Sequence, residues 1–246
     1  MSGERLLLVS RRSTLRAQRP SHMRTLAAAI AAFLIAAAAG AQERVSFPTE
    51  DGGVVHADMY GTGARAVVLA HGGRFNRESW APQAQELVKA GFRVVAVDFR
   101  GYGQSHGGSQ TASNDEGYRF DVLAAVRYLR RTGAKRVSVV GASFGGDAAA
   151  EASIHAAAGE IDRLVFLAHG GYAPPERMQG RKLFIVTRDD ANDAGPRLPR
   201  IRKQYEGTPG PKELVILEGS AHAQFVFQTD QGPRLMREIL RFLTEP

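Results

Sequence analysis

The chain has 246 residues, no cysteine, 43% hydrophobic residues and a formal net charge of +7, enough length for one α/β domain with a substantial core. The charge lies unevenly: residues 1–41 hold six arginines and one glutamate, leaving 26 basic and 24 acidic groups from Gln42 onward. A near-neutral remainder without a basic run argues against nucleic acid or a membrane surface as a partner, and the missing thiols exclude disulfides, cysteine nucleophiles and cysteine metal sites.

The apolar run Leu26 to Gly40 follows Arg24 and ends at Ala39-Gly40-Ala41, with small residues where signal peptidase reads them. It is shorter than the roughly 20 residues a bilayer needs, so it reads as a cleaved secretory leader, residues 1–41, with the mature protein beginning near Gln42. Export to the periplasm or beyond is the expectation, with no membrane association after leader removal. For the first 22 residues two readings stand: Met23 is the true start, or Arg11-Arg12 belongs to a twin-arginine signal. Met23 is preferred, because Pro20 and polar residues separate that pair from the apolar run.

From Gln42 strand and helix signals alternate without a repeat or long linker, so residues 42–246 read as one domain. Arg44 to Phe47 and Val54 to Tyr60 flank a turn and predict an antiparallel pair. Ala66 to Ala70 and Phe92 to Phe99 are continuous apolar runs of the kind buried on both faces of a parallel sheet, with a helix over Trp80 to Ala90 between them. Glu116 to Arg131 has the spacing of an amphipathic helix with arginines at its C-terminal end. Further strands are predicted at Arg136 to Val140, Leu164 to Ala168, Lys182 to Thr187 and Glu213 to Leu217, and helices after Ser143, at Leu198 to Tyr205 and at Gln231 to Leu243. This alternation predicts a mostly parallel sheet with helices on both faces. The stretch His169 to Arg181 is too short for a sizeable cap domain.

Gly141-Ala142-Ser143-Phe144-Gly145 stands where a β-branched strand meets a small-residue helix. In such a turn the serine is held in strained backbone, glycines on either side remove bulk, and the following helix aims free N–H groups and its positive end at the serine oxygen. The bland alternative is a glycine-rich connection with an incidental serine.

With this elbow, the turn His71-Gly72-Gly73, the loop Asp98-Phe99-Arg100-Gly101-Tyr102-Gly103-Gln104-Ser105, the acidic stretch after Thr187 and Gly219-Ser220-Ala221-His222, the chain from about Val45 onward resembles the α/β-hydrolase family. The order serine, acid, histidine is the one this family uses. The resemblance implies Ser143 as nucleophile, His222 as general base, and an aspartate after the strand ending at Thr187 as the acid. Counting from Thr187 selects Asp190; Asp189 is the alternative, and Asp193 a solvated turn residue. The backbone N–H groups of Gly73 and Phe144 are implied as the oxyanion donors. His169 reads as a pocket-lining residue and the main rival base, His71 as a residue shaping the turn, His56, His106 and His155 as surface or packing residues. The Asp98 to Ser105 loop reads as scaffolding, and Trp80 as either a substrate contact or core.

The resulting expectation is an exported serine hydrolase that cleaves a small-molecule ester through an acyl-enzyme, with no metal or organic cofactor. A serine at the elbow disfavours the dehalogenase and epoxide hydrolase branches, which the resemblance associates with aspartate there, and the dienelactone hydrolases, associated with cysteine. Peptidase, amidase, thioesterase and perhydrolase chemistry remain open to the same triad, and a non-catalytic binding protein on this fold is the alternative of another class.

Overall fold

Arg65–Ala70 forms a strand at the centre of the sheet because Ala66, Val67, Val68, Leu69 and Ala70 all lie fully buried and can face apolar neighbours on either side. The computed structural model describes residues 42–109, 114–171 and 173–245; residues 1–41, expected above to be a leader, and the two alternative start positions lie outside them. In chain order the elements are β1 Gln42–Pro48, β2 Gly53–Tyr60, β3 Arg65–Ala70, α1 Ala81–Lys89, β4 Arg93–Val97, β5 His106–Gly107, α2 Asn114–Arg131, β6 Arg136–Ala142 and α3 Phe144–His155. They continue as β7 Arg163–Leu167, β8 Arg181–Thr187, the short hairpin β9 Ala191–Asn192 and β10 Gly195–Pro196, α4 Leu198–Gly207, β11 Lys212–Leu217 and α5 Gly232–Thr244. Among the described residues no helix is long and apolar enough to cross a membrane.

The main sheet runs β1-β2-β4-β3-β6-β7-β8-β11. Strands β4, β3, β6, β7, β8 and β11 are mutually parallel, while β1 and β2 form an antiparallel ribbon joined antiparallel to β4. Helices cover both faces, α2 and α3 packing against one another over the central strands. The chain leaves β3 toward β4 on one side and returns to β6 on the other, so the carboxyl ends of β3 and β6 flank a point where the winding direction changes. Parallel sheets open a crevice there.

The helix expected from Trp80 begins one residue later: Trp80 ends a 3-10 turn, Arg77–Trp80, and Pro82 takes an early position of α1, where its missing N–H is not needed. Trp80 is 1% exposed and meets Phe227 edge-on, which makes it core rather than a substrate contact. Between β7 and β8 the described residues hold only the 3-10 turn Pro175–Arg177, so no cap domain rises from this connection.

The Asp98 to Ser105 loop is scaffolding held by buried polar contacts. Asp98 accepts from the Arg77 backbone N–H at 2.8 Å and from its guanidinium at 2.6 Å, and Ser105 donates to the Asp98 carbonyl at 2.8 Å while accepting the His56 N–H. Arg100 bridges Asp51 and Asp121, each at 2.7 Å. Burial pushes the Asp121 carboxyl up from its ordinary value, against the pull of Arg100.

Candidate active site

Ser143 connects β6 to α3 with φ 53° and ψ −122°, a left-handed conformation that a serine adopts only under constraint. The glycines around it provide the room. A Cβ on Gly145 would stand 2.5 Å from the carbonyl oxygens of Ala70 and His71, and one on Gly141 would press into the Gly145 carbonyl. The backbone N–H of Ser143 donates to Leu167 O at 2.8 Å, tying the elbow to β7.

Three chain segments converge on the Ser143 side chain. His222 follows β11, and its Nε2 lies 2.8 Å from Ser143 Oγ while its Nδ1 lies 2.7 Å from Asp190 Oδ2. With the carboxylate accepting from Nδ1–H, Nε2 is left as the acceptor of the serine hydroxyl proton. Asp190 is fully buried. Its other oxygen, Oδ1, forms an ion pair with Arg197 Nε at 3.2 Å, and Arg197 N–H donates to the Asp190 carbonyl at 2.8 Å across the base of the β9–β10 hairpin. Asp189 is brought elsewhere: its N–H donates to Gly219 O at 2.9 Å and its side chain is exposed, as is that of Asp193.

The turn after β3 lies opposite. Gly72 N–H is taken by Gln224 Oε1 at 3.0 Å, and the Tyr102 hydroxyl donates to the Gly73 carbonyl at 3.0 Å. Gly73 lines the cleft beside Ser143. Phe144 opens α3, so its N–H is among those a helix leaves without an internal partner. Its ring packs with His71, Phe99, Tyr102 and Tyr118. His71, fully buried, donates from Nδ1 to Gly72 O at 2.9 Å and accepts the Phe99 N–H at Nε2, 3.3 Å away. Burial lowers its pKa from the ordinary 6.5, and the neutral ring joins the turn to the end of β4.

His169 does not line this cleft. It is fully buried after β7, stacked near Phe166 and Phe184, with Nδ1 bonded to Asp147 in the first turn of α3. A histidine following a parallel strand is expected near the crevice, but the ring turns under α3 because Gly146 leaves space there, a Cβ at that position meeting His169 Cβ at 2.9 Å.

The cleft encloses about 450 Å³ and is lined by Gly72, Gly73, Arg74, Phe75, Ser143, Ala191, Arg197 and the His222 to Phe225 segment. Phe75 and Phe225 form an apolar wall, their ring centroids 4.7 Å apart. Among the described residues no group of three or more histidine or carboxylate side chains is arranged to hold a metal ion. Sequence reading missed Gln224, Tyr102, Arg74 and Arg197; the position of Gln224 two residues beyond His222 was the one available signal.

Residues 65–245 match the family described as alpha/beta hydrolase fold. The non-heme haloperoxidase of Rhodococcus erythropolis is 32% identical over 183 residues, covering 74% of this chain and 57% of that protein. An AB hydrolase superfamily protein of Bacillus subtilis, YisY, is 33% identical over 107 residues, 42% of this chain and 37% of that one. The chain thus matches about half or less of the length of these curated relatives. The Pyrococcus furiosus esterase Pf2001 superposes with a TM-score of 0.66 at 18% identity over 85% of this chain and 93% of its own, which is a likeness of fold.

Proposed function

Because the chain belongs to the α/β-hydrolase family, we propose that it is a serine hydrolase acting on carboxylic esters through an acyl-enzyme, with Ser143 as nucleophile, His222 as base and Asp190 as the acid. The observation that carries this reading is the unbroken line from Ser143 Oγ through His222 to Asp190, with contacts of 2.8 and 2.7 Å. Such a line activates a serine and has no evident use in a purely structural turn.

In this reading Ser143 Oγ attacks the ester carbonyl carbon while its proton moves to His222 Nε2. The oxyanion that forms is met by the N–H groups of Gly73 and Phe144. Collapse expels the alcohol oxygen, which takes the proton from Nε2, and leaves the acyl group on Ser143. Water then attacks the acyl carbon as His222 removes its proton, and the acid departs when the proton returns to Ser143. Asp190 holds the imidazole with Nδ1–H toward it and stabilises the transient imidazolium.

The apolar run before Ala39-Gly40-Ala41 supports export of this hydrolase, with N-terminal sequencing of the protein from its host as the check. A start near Gln42 is expected; a soluble cytoplasmic form retaining Met23 to Ala41 would refute it. The catalytic reading is tested by a fluorophosphonate probe, which labels activated serines without knowledge of substrate. Wild-type protein should be labelled on Ser143 and the Ser143→Ala protein should not. Unlabelled wild-type protein would favour a binding role for the fold.

A further inference from the structure

The charged side chains lining the Ser143 cleft, His222 apart, are two arginines: Arg74, in the turn after Gly73, and Arg197, after the β9–β10 hairpin. Asp190 is the only carboxylate paired with either among the described residues, and it is spoken for on both oxygens, Oδ2 by His222 and Oδ1 by Arg197 Nε. Neither Nη group of Arg197 makes a hydrogen bond to the protein among the described residues, while its side chain is 18% exposed. Arg74 is exposed and makes no ion pair there. The cleft therefore carries two guanidinium charges against one buried carboxylate.

From this imbalance we infer that the site takes esters that themselves carry a carboxylate, with Arg197 and Arg74 as the groups that recognise it. A guanidinium presents paired N–H donors matched to a carboxylate, and it stays charged at any pH the protein meets. Arg197 is partly withdrawn from water and already oriented by Asp190, so less side-chain freedom is lost when an anion binds than at a free surface arginine. The Phe75 and Phe225 wall suits a short apolar chain or ring joining the ester to the charge. A neutral ester would make the same contacts with the wall and leave Arg74 and the Nη groups of Arg197 with water alone. Arg197 would so serve two groups at once, the substrate anion through Nη and Asp190 through Nε.

The inference rests on the serine hydrolase reading, and the test separates the two. Initial rates are measured for ethyl hydrogen glutarate against ethyl pentanoate, which place or omit the charge on the acyl side, and for acetoxyacetate against ethyl acetate, which do so on the alcohol side. The readout is the ratio of kcat/KM, charged over neutral, in wild type, Arg74→Gln, Arg197→Gln and the double variant. In at least one pair the wild-type ratio should exceed that of the double variant by about tenfold, and it should shrink at about 1 M salt, where charges are screened beyond about 3 Å. Because Arg197 touches Asp190, a fall in absolute rate for that variant is not the signal; the ratio is. Equal ratios in wild type and double variant for both pairs would overturn the inference while leaving the hydrolase reading intact. If no ester is turned over and Ser143 is not labelled, the hydrolase reading fails. Calorimetry with glutarate then decides the anion site alone: binding weakened about tenfold or more in the double variant supports it, and no binding, or binding unchanged in that variant, refutes it.

Discussion

Gln224 Oε1 accepts the backbone N–H of Gly72 at 3.0 Å, so a residue on the loop that carries His222 pins the turn that carries Gly73. Its Nε2 donates to Ser79 Oγ at 2.9 Å, and the side chain is 3% exposed. Gln224→Leu removes both contacts and leaves a buried N–H unpaired, which should cost about 1–3 kcal/mol in urea unfolding. The Gly73 turn then loses its fixed position, and kcat for an activated ester should fall by about tenfold to hundredfold with a smaller change in KM, less than the loss of a whole oxyanion donor. A variant destabilised but fully active would separate the clamp from the chemistry.

Ser143→Ala should lower turnover by roughly 10⁶-fold with folding intact. His169→Phe is the matching control for the other histidine at a strand end. Its ring lies buried under α3, and its partner Asp147 is half exposed, so the carboxylate left behind stays solvated. Turnover in His169→Phe should stay within about tenfold of wild type, against a loss near that of the serine variant for His222→Ala. Comparable losses in the two histidine variants, both folded by circular dichroism, would reopen the assignment of the base.

Asp190→Asn should cost on the order of 10⁴-fold in turnover, since an amide favours the wrong imidazole tautomer and leaves the imidazolium unsupported. Asp189→Asn changes an exposed side chain and should matter far less. Steady-state kinetics of the two single variants make the comparison, and a severe loss in Asp189→Asn alone would move the acid by one residue.

His71 makes stability fall on the acid side. Burial lowers its pKa below 6.5 in the folded chain, so the unfolded chain takes up a proton that the fold refuses. The stability this neutral ring contributes is complete above 6.5 and is lost as pH falls below that value toward the folded pKa. Urea midpoints measured from neutral to mildly acidic pH should drop, and the drop should be shallower in His71→Asn. Parallel curves for the two proteins would mean that another group carries the acid dependence.

Gly141→Ala places a Cβ against the Gly145 carbonyl, backbone that cannot move aside without opening the elbow. The variant should lose about 3 kcal/mol or more of stability and most of its activity together. Gly133→Ala, also a glycine change but with open space around the added methyl, should lose much less despite its φ of 101°. Thermal melts of both proteins provide the comparison.

The strands were legible because a buried parallel strand reads as a short continuous apolar run rich in β-branched residues, as Ala66 to Ala70 and Val94 to Val97 do. Ser143 was legible because the elbow needs glycine at positions fixed by close backbone approach, a constraint written within five residues. The choice between Asp189 and Asp190 was not, since it depends on the turn after Thr187, where Asp189 N–H reaches Gly219 O and buries the next side chain instead. His169 was misread as lining the pocket because its position after a strand says nothing of the space Gly146 opens beneath α3. Gln224 and Gly72 lie 152 residues apart, and the partnership of Arg197 with Asp190 depends on a two-stranded hairpin too short to leave a periodic signal.

That hairpin is also where this protein is open to change. Residues 191–194 are exposed, Ala191 borders the cleft, and the two ends are fastened by Arg197 N–H on the Asp190 carbonyl at 2.8 Å. Extra residues at its tip would add loop entropy, about 0.6 kcal/mol for each doubling of length, without pulling on the fastening. Insertion at the tip would therefore change the rim of the cleft beside Ala191 while the contact between Asp190 and His222 below keeps its spacing.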